Sequence, residues 1–377
     1  VLPCHSQVIE RQPDCRTKNA AKGLTSNRCA KGRTTHRWCS RFVTVNTGGT
    51  LTCDSGADVG ISTVTLGGGT LANLGASSTF GSWRFDNAGD VLSVTQDSTV
   101  SAVNVKFANG GAINVASGRT LNFAGTITDA SSGGASSVAF GGAGNVVFSG
   151  ANNFTGPATI NAGRVILTNT TSFGSTNIIV GSGATLDVAG LAGTFTLGAN
   201  QRLAGSGTNN GAVMTVSGAR IYAGTDGGFG TNRFTTNLTM VAGAFLCFDL
   251  GSSATGSNDK IIVSGDLNLN STTLRIKGPA SLDPSADYLL VTVAGALSGT
   301  VNPTPIWDVQ PGNASAFSAM VTLTDPDLYA DLQSVFREAA QDRRAGRNPQ
   351  VRFSGAGWDA YAFPSTPITR DNDPVME

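Results

Sequence analysis

The chain has 377 residues, of which 40% are hydrophobic, 13% are charged and 49 are glycine. Lys and Arg balance Asp and Glu at 25 each, so no global charge draws the protein to nucleic acid or an anionic membrane. No apolar run approaches the roughly 20 residues of a membrane helix, so no span is expected in this chain.

Charge is uneven along the chain. Residues 1 to 41 hold nine of the basic residues, both histidines (His5 and His36) and four of the six cysteines. Cys4, Cys15, Cys29, Cys39 and Cys53 include no C-x-x-C pair. Disulfides, with at least one thiol left over, fit an exported protein better than a zinc site using His5 or His36. Contact with acidic polysaccharide or nucleic acid is a further reading of the basic residues. The segment has no hydrophobic period and begins with Val1. It reads as an extension ahead of the fold, disordered or foreign to it.

Residues 42 to 325 carry ten basic residues, fifteen Asp, no Glu and no His. Apolar and small polar residues alternate over five or six positions and then meet a Gly-containing turn, the signal of repeated short strands. The clearest copies are Phe42 to Cys53, Ile113 to Phe123, Ala158 to Leu167, Ile178 to Val188, Met214 to Ala223 and Thr239 to Leu250. Their anchors fall at Leu51, Leu71, Leu121, Ile166, Leu186, Leu203, Ile221, Leu246 and Leu274. Several neighbours lie 17 to 28 residues apart, and the gaps of 50 and 45 leave room for an intermediate copy. That period predicts solenoid rungs stacked at about 4.8 Å, with a compact sandwich as the alternative. About a dozen rungs would make a rod on the order of 60 Å long. Charge is rare on such a stack because like charges would stand side by side on successive rungs.

Gly142, Gly144, Ser149, Gly150, Asn152, Gly156, Ile160, Gly163 and Val165 occupy a G-x-G-x-x-x-x-S/T-G-x-N-x-x-x-G-x-x-x-I-x-x-G-x-[LV] pattern between Gly141 and Leu167. This stretch resembles the passenger-associated repeat of bacterial autotransporters; the rest of the body shares its texture in degenerate form. The resemblance implies an all-β, right-handed parallel β-helix that is extracellular or lies on a bacterial cell surface. No signal peptide precedes the body and no outer-membrane barrel follows it in this sequence, so a fragment or a different export route is expected.

The remainder predicts a short C-terminal α-helix over 326–346 and an extended polar tail over 347–377. Asp325, Pro326 and Asp327 supply a cap, and Leu328, Leu332, Val335, Phe336 and Ala339 share one face. Arg343 and Arg344 suit the C-terminal dipole and Gly346 a stop. The apolar face is expected to cover the open end of the solenoid.

The absence of His from the body excludes Ser-His-Asp and Cys-His sites there. No G-x-S-x-G elbow or phosphate loop occurs, and Ser257 to Lys260 matches S-x-x-K only across a turn. The favoured function is a non-catalytic structural or adhesive surface protein, with a surface glycan, a protein ligand or itself as partner and no cofactor. Its rival is a β-helix polysaccharide lyase or hydrolase, with carboxylates, calcium and a basic residue on one face. Candidates for that chemistry are Asp86, Asp90 and Asp97 with Arg84 and Lys106, or Asp226 with Arg220 and Arg233. Trp83, Phe85 and Trp307 are candidate glycan contacts if exposed, or corner aromatics if buried.

Overall fold

The computed structural model describes residues 4–5, 24–26, 42–53, 58–73, 82–85, 87, 89–102, 104–129, 134–150, 152–169, 173–284 and 287–316. From Phe42 to Val309 these residues form a parallel β-helix. One sheet has thirteen strands and another twelve, and each leads with a short antiparallel strand, Leu24–Ser26 in the first and Cys4–His5 in the second. The remaining strands of both sheets are parallel, which leaves twelve rungs in the thirteen-strand sheet and a rod about 50–60 Å long. A third side carries three strands near its start, from Asp58–Gly60 to Val105–Phe107, and five near its end, from Phe195–Leu197 to Leu297–Ser298. The predicted C-terminal helix and tail lie outside the described residues, as does most of 1–41.

Period-two alternation sends every second side chain inward, where ladder partners meet like with like. Val43, Val64, Leu92, Ile113, Phe140, Ile160 and Val180 are successive partners in the thirteen-strand sheet, all buried. In the twelve-strand sheet Leu71, Val100, Phe123, Phe148 and Leu167 form the matching column. The intermediate rungs expected in the two wide gaps are present as Ser98–Val100 and Asn145–Phe148.

The six copies, however, are not one structural unit. Phe42–Asn46 with Thr50–Cys53 spans the corner from the thirteen- to the twelve-strand sheet. Val213–Thr215 with Arg220–Tyr222 spans a different corner, from the third side to the thirteen-strand sheet. Both corners read as strand, Gly-containing turn, strand, so the frame slips by one face between Leu186 and Leu203. Ile166 is half-buried and faces outward, unlike the other anchors; the inward residue of its strand is Val165.

The passenger-like glycines have a steric reason. At Gly142 φ is +77°, and a Cβ would lie 2.1 Å from the Val115 carbonyl oxygen of the rung before. Between the two groups of strands on the third side, buried polar side chains replace the ladder. Ser136 Oγ accepts from Phe107 N at 3.1 Å and donates to Thr128 O at 2.7 Å. Asn152, the motif asparagine, accepts from Ile127 N at 2.8 Å, and Ser175 Oγ donates to Gly156 O at 2.8 Å. Each supplies a backbone group with a bond of the kind that strand pairing makes elsewhere.

Candidate functional site

The first carboxylate set does not converge. Asp86 lies outside the described residues. Asp90 Oδ2 accepts from Asn87 N at 2.9 Å and Asn87 Nδ2 at 3.2 Å, closing a turn. Asp97 sits at a corner, where it accepts from Thr120 N at 2.9 Å and so ties one rung to the next. Arg84 and Lys106 are register partners on the three-strand side. Trp83 and Phe85 are fully buried, so the sugar-stacking role is corrected for both: Trp83 donates Nε1–H to Ala72 O at 3.1 Å, and Phe85 stacks on Phe107 at 4.8 Å. Alternation explains it, since Trp83, Phe85, Val105 and Phe107 all occupy inward positions of that side. Trp307 is partly buried, packed against the core on the last strand of its sheet.

The second set is split between faces. Arg233 belongs to the twelve-strand sheet and Arg220 to the thirteen-strand sheet. Asp226, in the loop after Tyr222, is ion-paired instead with Lys277 and, at 4.0 Å, with Arg202. Around it the outer face of the thirteen-strand sheet gathers a cluster that keeps Asp226 and Arg220 of the candidate set and adds Arg202, Tyr222, Phe245, Cys247, Arg275 and Lys277, which the sequence did not single out. Arg202, Arg220 and Phe245 are successive partners in one outward ladder; Tyr222, Cys247 and Arg275 are successive partners in the next. Arg202 lies over the Tyr222 ring at 5.7 Å, and Arg220 and Arg275 lie over Phe245 at 5.8 and 5.5 Å. Asp308 accepts from Arg275 Nε at 3.1 Å and from its Nη2. Cys247 lies beneath this layer, and burial pushes its thiol up to about 12, which leaves it without thiolate character at neutral pH. The signal was present in the sequence: Arg202, Arg220 and Phe245 each stand immediately before an anchor, Leu203, Ile221 and Leu246.

Beside the cluster two buried carboxylates fix the loops that flank it. Asp249 Oδ2 accepts from Gly227 N at 2.6 Å, and Asp259 accepts from Gly230 N at 2.7 Å and Asp249 N at 2.8 Å. Burial pushes the Asp259 carboxyl up to about 6; the Asp249 charge adds to this, and the backbone hydrogen bonds oppose it. A carboxyl whose folded pKa exceeds its unfolded value of 3.8 stabilises the fold most when protonated. Its contribution is therefore complete below about pH 4 and is lost as pH rises through about 6. Relative to Asp259→Asn, the wild type is expected to lose about 1–2 kcal/mol more stability between pH 4 and 7, after allowance for solvent screening. Urea unfolding at several pH values checks this, and parallel curves for the two proteins would refute it.

Asp187, almost fully buried, is ion-paired with Arg164 and accepts from Ala189 N at 3.0 Å and Asn210 Nδ2 at 2.9 Å, a rung-to-rung brace. Three hydrogen bonds from Ser136 and Thr155 hold Asp129 below the usual carboxylate range although burial works against them. Among the described residues no three His, Cys, Asp or Glu side chains are grouped to hold a metal ion, and no helix is long and apolar enough to cross a membrane. In comparisons with known proteins, no family model, no curated protein and no solved structure matches this chain.

Proposed function

We infer that the protein is a non-catalytic structural or adhesive β-solenoid, extracellular or held at a bacterial cell surface, that presents repeated faces to a glycan, a protein or a second copy of itself. The observation that carries this is the dispersal of the candidate catalytic groups over a rod with flat faces. Asp90 and Asp97 tie turns and rungs, Asp226 neutralises Lys277 and Arg202, and Arg233 stands on another sheet. From Gly111 to Leu167 the only ionisable side chains are Arg119, Asp129 and Arg164, so the middle of the rod offers little charge to repel a neighbour. A stiff rod with contacts in register favours many weak interactions over one deep pocket. The cell-surface setting rests on the passenger-like repeat between Gly141 and Leu167.

The test is incubation with pectin, alginate and neutral glycans while unsaturated and reducing ends are followed. No turnover is expected. Turnover abolished by substituting Asp226, or Asp86 and Asp90 together, would overturn the non-catalytic reading in favour of a lyase or hydrolase.

A further inference from the structure

Four of the ten basic residues in 42–325, namely Arg202, Arg220, Arg275 and Lys277, are collected on the outer face of the thirteen-strand sheet over its last strands. Arg202 and Arg220 are direct register partners, about 4.8 Å apart. Like charges in that relation are destabilising, and a charge-poor solenoid has ready neutral alternatives at outward positions. The rings explain how the cations are held. Tyr222 lies under Arg202, and Phe245 is shared by Arg220 from the strand before it and Arg275 from the strand after the next turn of the coil. Stacking uses the face of a guanidinium and leaves its in-plane N–H donors directed outward.

The acids of the cluster fall one short of its four cations. Asp226 serves Lys277 and Arg202, Asp308 serves Arg275, and Asp249 is the register partner of Lys277. Among the described residues Arg220 has no carboxylate partner; beside it are the Phe245 ring and the Tyr222 side chain. The face therefore offers a row of guanidinium donors along the rod axis, with Asp226 and Asp308 set among them and Asp249 beside Lys277.

Resting on the non-catalytic surface role above, the geometry points to this face as a binding site for an acidic, uronate-bearing polysaccharide. A glycan carboxylate is taken by Arg220 and Arg202 in charge-assisted, bidentate fashion. Asp226 and Asp308 accept from sugar hydroxyls. A linear polymer lying along the axis meets Arg202, Arg220 and Arg275 in turn, since they stand on the first, second and fourth strands of the row. The carboxylates decide between anionic polymers: a phosphodiester chain brings continuous negative charge past Asp226 and Asp308 and few hydroxyls to satisfy them, whereas a uronate chain brings both groups.

The experiment is isothermal titration of the full chain with oligogalacturonate, its methyl-esterified form, a neutral glucan oligomer and single-stranded poly(dT). Oligogalacturonate is expected to bind, more weakly as salt rises, and the esterified and neutral oligomers are expected not to. Arg220→Gln should weaken binding by about tenfold or more, the scale of one charge-assisted pair. Arg233→Gln, on the twelve-strand sheet, should leave it unchanged. If Arg220→Gln does not fold, Arg202→Gln and Lys277→Gln are read in its place, each expected to weaken binding. Equal binding by wild type and folded Arg220→Gln, or by wild type and both Arg202→Gln and Lys277→Gln where Arg220→Gln does not fold, no binding of oligogalacturonate, or tighter binding of poly(dT) would overturn the assignment. Those outcomes leave the non-catalytic reading standing, while cleavage of the oligomer would remove that reading and leave the site in place.

Discussion

Replacing Phe148 with Ala is expected to lower unfolding free energy by about 3–5 kcal/mol, the range for truncating a fully buried aromatic whose cavity cannot close. Phe148 has no exposed surface and stands among Phe123 at 5.1 Å, Phe140 at 5.7 Å and Phe173 at 6.2 Å. Phe140 comes from the facing sheet, while Phe123 and Leu167 are the ladder partners in the rungs before and after. Truncation therefore opens a gap on several sides at once. In a stack of repeats, stability comes largely from interfaces between neighbours, so loss at a central rung weakens both halves. Phe229, exposed in the loop before Thr231–Phe234, is the control: its replacement by Ala should change stability by no more than about 0.5 kcal/mol. Denaturant unfolding of both variants decides the matter. A loss at Phe148 below about 1 kcal/mol would mean that the rungs can close together over a missing ring.

Gly150→Ala is expected to cost about 3 kcal/mol, the upper end for overpacking, because the obstacle is backbone. A Cβ at that position would lie 2.0 Å from Gly125 O and 2.7 Å from Ala124 O in the preceding rung. Both obstacles are main-chain carbonyls, which cannot turn away as the end of a flexible side chain can. Gly118 separates this close approach from ordinary turn strain, since its φ is +68° but a Cβ there meets nothing within 4 Å. Gly118→Ala should cost only the penalty of a left-handed residue, about 1 kcal/mol. Equal losses in the two variants, measured by urea unfolding, would remove the stacking explanation for the Gly150 position and with it the physical account of the passenger-like motif.

That motif shows how local residues can be legible in pattern and obscure in purpose. Gly142, Gly150 and Asn152 stand out in the chain by spacing, yet their work is done against residues some 25 positions earlier: Val115, Gly125 and Ile127. The spacing is that of one rung, so the repeat in sequence is the shadow of contacts between coils. Residues that face away from the axis leave a fainter trace. Arg202 and Arg220 look unrelated along the chain and become neighbours only when their anchors Leu203 and Ile221 are placed side by side. The anchors were identified in sequence; the residue before each was the readable sign of the outer ladder.

Sequence and structure differ where two physical situations give the same string. A strand, a glycine turn and a second strand describe two different corners of the coil, which is why the aligned copies slipped from one face to the next. Trp83 and Phe85 suit a sugar-stacking surface or a core equally well by type, and burial on the three-strand side assigns them to the core. Asp226 stands near Arg220 and Arg233 in the chain, whereas its ion-pair partners, Arg202 and Lys277, are supplied by other rungs.

The amino-acid order by itself determined the coil of short strands, its dozen turns and its apolar interior, because period-two alternation and glycine-marked corners are local properties of a strand and its turn. Which outward side chains meet, and hence whether charged residues form a reaction centre, a brace or a binding face, was decided only by the stacking of rungs. The stacking of rungs brings residues 18 to 51 positions apart side by side, and that distance is set by the path of the chain around the rod.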